Sequence, residues 1–103
     1  FLVSDVPDES HPFSISSAPT QGGSIKVLIK NCGDYTSTMK LLKKGDIATL
    51  EGPYGNFVDE RIANANTPLV MLAGGIGITP ILSILRSQMV TQPTRRIVLV
   101  LQI

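Results

Sequence analysis

The segment LVMLAGGIGITP, residues 69–80, constrains the chain most, because an apolar run leads through three glycines into a threonine-proline pair. A short apolar run without alternation reads as a strand buried on both faces. Thr79 is a favourable N-cap, and Pro80 suits a first helical turn, where its missing N–H would have no partner. The spacing predicts a helix over 80–89, a loop through Pro93 and a β-branched strand over 97–101. That order is a βαβ unit, which normally continues into a larger parallel sheet with right-handed crossovers.

Upstream the texture differs. Ile25, Val27 and Ile29 alternate with lysines, the period of a strand with one buried face, although Leu28 interrupts it. Residues 47–50 read as another strand. Between them Asp34 or Thr36 can cap a short helix over 37–42, with Lys43 and Lys44 complementing its C-terminal end and Gly45 stopping it. The first residues, 1–3, are apolar without a preceding basic stretch, which argues for the inside of a strand and against a signal peptide. A boundary is expected near 56–67, dividing the chain into 1–58 and 59–103.

Composition sets outer limits. The 103 residues carry a net charge of +1, so there is no long-range attraction for nucleic acid or acidic membranes. Cys32 is the single cysteine, which leaves no intrachain disulfide or cysteine-rich metal site and fits a reducing, cytosolic compartment. No apolar run approaches the roughly 20 residues of a membrane helix. No repeats or low-complexity tracts are present.

Two segments invite chemistry. The glycine turn, at Gly74, Gly75 and Gly77, lets a backbone approach a phosphate while free N–H groups and the helix dipole face the anion. The same glycines would equally serve a tight turn and close helix-to-strand packing. Residues 11–19, HPFSISSAP, place an aromatic ring beside hydroxyls on an extended strand. Phe13 could cover a planar heterocycle and Ser14 could hydrogen-bond at its edge. Taken singly, Phe13 reads as a core side chain and His11 as a surface or satisfied structural histidine, and no second histidine offers a metal pair. Lys30, Thr36, Ser37 and Thr38 could hold a pyrophosphate, or be a solvated lysine and an ordinary cap.

Four blocks occur in order: HPFSISSAP, IKNCGDYTSTMKLLKKGD, EGPYG and LAGGIGITP. Together they resemble the ferredoxin-NADP reductase superfamily, and the HPF-Ser form resembles its ferric reductase and NADPH oxidase branch. The resemblance covers nearly the whole chain. It implies a mixed, α+β fold: the C-terminal part of an antiparallel FAD-binding β-barrel, then the first βαβ unit of a Rossmann-like domain that binds NADPH or NADH. It further implies hydride transfer from nicotinamide to flavin and single-electron delivery to a heme, iron or iron-sulfur acceptor. Under it His11, Pro12, Phe13 and Ser14 contact the flavin, with Ser14 near the reactive nitrogen and so the residue expected to influence hydride transfer. Lys30 falls where many relatives carry an arginine for the FAD pyrophosphate, and Thr36, Ser37 and Thr38 fall at the phosphate-binding helix start. Gly74, Gly75, Gly77, Thr79 and Pro80 match the nicotinamide-nucleotide site.

The chain departs from the family in two ways. Many members have Arg-x-Tyr-Ser where this chain has His-Pro-Phe-Ser, so the arginine's phosphate contact is absent or supplied by another residue such as Lys30. The family module is also much longer and includes a downstream cysteine-glycine motif. The expectation is therefore a piece of a longer polypeptide, cytoplasmic or at the cytoplasmic face of a membrane protein, and inactive in isolation or folding alone by a strand-swapped dimer. A non-catalytic flavin-binding electron-transfer or regulatory subunit is the alternative from another class.

Overall fold

The computed structural model describes residues 2–6, 9–19 and 22–103, with the backbone alone for 2–6, 9 and 35. The fold is α+β, with one antiparallel and one parallel sheet. In the antiparallel sheet β1 (Leu2–Val6) lies between β2 (Glu9–Pro12) and β3 (Thr49–Glu51), so that Val3 sits opposite both His11 and Leu50. The parallel sheet joins β4 (Leu69–Gly74) to β5 (Ile97–Gln102) in unbroken register from Leu69↔Ile97 to Gly74↔Gln102. Parallel neighbours need a long crossover, and α3 (Ile78–Thr91) provides it. The expected βαβ unit is present.

Besides β3, which begins at Thr49 rather than at residue 47, three elements differ from expectation. The strand expected over 25–30 is reduced to a single bridge between Val27 and Ile15. Its cause is local: Ser16 N–H donates to Lys26 O at 2.8 Å, but Lys26 N–H donates to the Ser17 hydroxyl at 3.0 Å, so a side chain replaces the next main-chain acceptor and the ladder ends. Ile25 remains exposed rather than facing a core. The helix expected over 37–42 begins earlier, as α1 (Asp34–Thr38), and tightens into a 3₁₀ turn over Met39–Leu41. Its N-cap is Gly33, without a side-chain cap bond. Between α1 and β4 lies a further short helix, α2 (Glu60–Ala63), capped by Asp59, whose carboxylate accepts from Arg61 N–H at 2.8 Å.

Buried apolar side chains among the described residues are Ala18, Met71 and Ile81, and the buried polar ones are Ser16, Ser17, Thr79 and Gln88. Every buried side-chain nitrogen or oxygen described has a hydrogen-bond partner, as the cost of burying an unpaired polar group demands. One face of the parallel sheet carries exposed Val70, Leu72, Val98 and Val100, and the other carries exposed Leu99 and Leu101. The best-buried region is therefore the seam where α3 meets β4 on one side and residues 16–18 on the other.

Candidate nucleotide-binding site

Beyond the end of β4 the chain turns through a 3₁₀ segment, Gly75–Gly77, directly into α3. Gly75 has φ +51°, the left-handed region that favours glycine over residues with a Cβ. Gly74 and Gly77 are different, with ordinary φ values of −126° and −60°. A Cβ on either would meet no atom of the chain within 4 Å. Neither backbone geometry nor internal packing requires glycine there. The space that these two positions keep clear would admit a phosphate to the glycine turn, although the Ile78 N–H at the start of α3 already donates to Gly75 O and Ile76 O.

Thr79 is not the N-cap. That position is Gly77, and Thr79, only 2% exposed, donates its hydroxyl to Ile76 O at 2.9 Å. The 3₁₀ turn advances the helix start by two residues and draws the threonine inward, where it braces the turn. Pro80 is consequently the third residue of α3, still among the positions whose N–H has no intrahelical partner.

His11 and Pro12 lie in β2, facing Val3 and Leu2 across the ladder. The chain leaves the strand at Phe13, which is half-buried, and Ser14, which is exposed. Residues 16–18 then dive into the seam. Arg86 on α3 donates to Ser16 O at 2.6 Å, and Ser83, one turn earlier on the same helix, donates to Ser17 O at 2.7 Å. The helix that opens at the glycine turn is thus bonded to the segment that follows Phe13 and Ser14. A cleft of about 260 Å³ marks the junction, lined by Ile15, Tyr54, Phe57, Pro80, Ser83 and Ile84 among others. It brings together residues from the HPFSISSAP, EGPYG and LAGGIGITP blocks.

Residues 30–38 stand apart. Lys30 is exposed, three residues beyond the bridge at Val27. At the start of α1 the hydroxyls are engaged with neighbouring backbone: Thr36 accepts from Cys32 N–H at 2.9 Å and donates to Gly33 O, and Ser37 donates to Asp34 O at 2.7 Å. Thr38 is exposed at the end of α1. These hydroxyls would have to exchange partners to bind a pyrophosphate.

Two features escaped the reading of the sequence. Arg95 clamps the end of α2, with its guanidinium donating to Ile62 O, Ala63 O, Thr67 O and Gln88 Oε1. Gln88 and Gln92 add bonds to Ala63 O at 3.1 and 2.6 Å. A cation at the carbonyl end of a helix is favourable, but nothing near Arg95 in sequence signals a partner some thirty residues away. The second feature is the Arg86 and Ser83 pair, whose i, i+3 spacing places both on one helical face without revealing what the face meets. In the EGPYG block, the Tyr54 hydroxyl donates to Glu51 Oε1 at 2.6 Å, a bond that raises the tyrosine pKa.

No protein-family profile matches the chain. Individual relatives do. The chain is 36% identical over 75 residues to sulfhydrogenase 2 subunit gamma of Pyrococcus furiosus, covering 72% of the chain and 25% of that protein. It is 33% identical over 96 residues to a flavohemoprotein of Rhizobium meliloti, covering 85% and 23%. It is 40% identical over 94 residues to ferric reduction oxidase 7, a chloroplastic protein of Arabidopsis thaliana, covering 73% and 12%. The chain belongs to the ferredoxin-NADP reductase-like proteins. It spans a quarter or less of the length of these three relatives.

Proposed function

We propose that this chain is the part of an FAD- and NAD(P)H-dependent oxidoreductase at which the two cofactors meet. Residues 1–58 belong, on this reading, to an antiparallel FAD-binding β-barrel, and 59–103 open a Rossmann-like nucleotide-binding domain. The observation that carries the proposal is α3, which starts at the open glycine turn and is hydrogen-bonded to the carbonyls just beyond Phe13 and Ser14.

The residues fit the groups. His11, Pro12, Phe13 and Ser14 supply the end of a strand, an aromatic ring and an exposed hydroxyl for a flavin ring, with Lys30, Thr36, Ser37 and Thr38 for its pyrophosphate. Gly74, Gly75 and Gly77 leave room for the nicotinamide nucleotide's phosphates, Thr79 braces the turn, and Pro80 borders the cleft. When bound, the nicotinamide supplies a hydride and the flavin accepts it, then releases electrons one at a time. This chain's residues orient the groups, shield them from water and hold a hydrogen bond at Ser14; none is needed as a general acid or base. The acceptor would be a heme, iron or iron-sulfur group, the first two in keeping with the names of the flavohemoprotein and ferric reduction oxidase relatives. We place the site in the cytoplasm, including the cytoplasmic face of a membrane protein; among the described residues no helix is long and apolar enough to cross a membrane.

A second reading has its own support. The chain is 31% identical over 82% of its length to the electron transfer subunit of dihydroorotate dehydrogenase B (NAD(+)) from Streptococcus pneumoniae, so a subunit that passes electrons to a partner protein is the alternative. NAD(P)H oxidation by the purified protein without a partner separates the two.

The primary test is an FAD titration followed by flavin fluorescence and visible absorbance, then anaerobic reduction by NADPH or NADH. Saturable binding with reduction supports the proposal, and a flavin-binding protein that neither nucleotide reduces refutes it. Within the same assay, Ser14→Ala is expected to slow flavin reduction about 10-fold while FAD affinity changes less, because the hydroxyl acts on the reacting geometry more than on binding. Unchanged stopped-flow reduction would remove Ser14 from that role.

A further inference from the structure

We infer that Arg86, with Ser83, is a positioning residue that fixes the flavin-facing segment after β2 relative to the nicotinamide-nucleotide turn. The inference rests on the function proposed above and adds a residue pair that none of the four sequence blocks singles out. Three observations carry it. First, Ser83 and Arg86 lie one turn apart on α3 and donate to consecutive carbonyls, Ser17 O at 2.7 Å and Ser16 O at 2.6 Å. Second, the segment they grip is among the best buried in the chain: Ser16 is 1%, Ser17 4% and Ala18 3% exposed. Third, α3 begins immediately after Gly77, at the turn whose glycines keep their surroundings open.

A helix rises 1.5 Å per residue, so Arg86 stands about 12 Å along the axis from the start of α3 at Ile78. An element of that length transmits position without much bending. One end of α3 addresses the nucleotide phosphates, and the face a turn or two further on holds the backbone two residues from Ser14. The distance between the two cofactor-facing surfaces is therefore set by the helix and its two side-chain clamps. A guanidinium suits this task because a charge-assisted bond to a carbonyl is short and strong. The clamp engages main-chain oxygens only, and the hydroxyls of Ser16 and Ser17 are turned the other way, bonded to Lys26. The 16–17 segment is thereby held from both sides, by α3 and by Lys26.

The test uses the intact protein that contains these residues, loaded with FAD, and compares Arg86→Met, Arg86→Lys and Ser83→Ala with the wild type. Stopped-flow reduction across a range of NAD(P)H concentrations separates the limiting rate from the apparent nucleotide affinity. Arg86→Met is expected to lower the limiting rate about 10-fold, since small misplacements of reacting groups are costly, while FAD content and nucleotide affinity stay near wild type. Arg86→Lys, which keeps one charged donor within reach of Ser16 O, should recover part of the rate, and Ser83→Ala should show a smaller loss of the same kind. If Arg86→Met does not fold, the Arg86→Lys and Ser83→Ala rates decide. Limiting rates equal to wild type in the folded variants overturn the inference and leave the proposed function standing. Parallel loss of FAD, nucleotide affinity and rate without rescue by lysine assigns Arg86 to general stability and also overturns it. A wild-type protein that no nicotinamide nucleotide reduces removes the proposed function itself, and the inference with it.

Discussion

The α3 seam and the α1 region are both built from serines, threonines and basic residues, yet they use them differently. Along α3, Ser83, Arg86, Gln88 and, beyond the helix, Arg95 reach residues 16–17 or 62–67, distant in sequence, and the contacts to Ser16, Ser17 and Ala63 are half-buried. Around α1, Thr36 and Ser37 bond to carbonyls three residues back, at the surface. The first arrangement ties parts of the fold together and fixes geometry. The second stabilises only its own turn and leaves hydroxyls able to exchange their partners for a ligand's oxygens. The same residue types thus serve as fasteners in one place and as an adaptable surface in the other.

The sharpest way to break this comparison is at Arg95. Arg95→Met leaves the carbonyls of Ile62 and Thr67 and the Gln88 side-chain oxygen without their guanidinium donor and should destabilise the protein by about 2 kcal/mol, the cost of losing charge-assisted bonds of which those to Ala63 and Gln88 are half-buried. Chemical denaturation read by far-ultraviolet circular dichroism checks it, and a loss below about 0.5 kcal/mol, the level of an ordinary surface change, would erase the distinction. Next comes Gly77→Ala. Its φ is −60° and its Cβ would meet nothing, so the alanine should raise stability by about 0.5 kcal/mol. The same methyl should weaken NAD(P)H binding about 10-fold, or about 1.4 kcal/mol. Calorimetric titration and a melting curve together read both signs; lowered stability with unaltered binding would make Gly77 a purely structural glycine.

Smaller effects belong to the exposed region and to α2. Thr36→Val removes bonds to Cys32 and Gly33 at the surface and should cost about 0.5 kcal/mol; a cost near that of Arg95→Met would make α1 a fastener after all. Asp59 gives the smallest change. Its carboxylate is held below the usual range first by the hydrogen bond from the Arg61 side chain and then by that from the Arg61 backbone. A lowered folded pKa means that its stabilisation is present above the ordinary value of 3.8 and is lost as pH falls through the lower folded value. Amide exchange at Ile62 and Ala63 should therefore quicken slightly below that pH in the wild type, and Asp59→Asn should flatten the dependence.

What could be read from the sequence follows the same division. β4, α3 and β5 are legible because an apolar run, helical spacing and a β-branched run are each contained in one window. The βαβ order then leaves little freedom in topology. The strand expected around Val27 fails because a hydroxyl, Ser17, takes a main-chain partner, a choice that no periodicity encodes. Thr79 carries the mark of a cap without being one, because the preceding glycines form their own 3₁₀ turn and move the helix start by two residues. α2 is too short for a periodic signal, although Asp59 ahead of Glu60 and Arg61 is a legible cap. The residues of the candidate site are visible as motifs, whereas Arg86, Ser83 and Arg95 act across long separations and carry no local mark.

The grip of α3 on main-chain oxygens has an implication for recombining such modules. A clamp that reads carbonyls measures spacing and ignores composition, so what α3 demands of this segment is the number of residues between Ser14 and Ser17, while the buried hydroxyls of Ser16 and Ser17 answer separately to Lys26. A chimera that exchanges one half for that of a relative would retain its alignment across the junction if this interval is conserved. A single-residue insertion there would shift every carbonyl by one place and offset the two halves, however well each half folds.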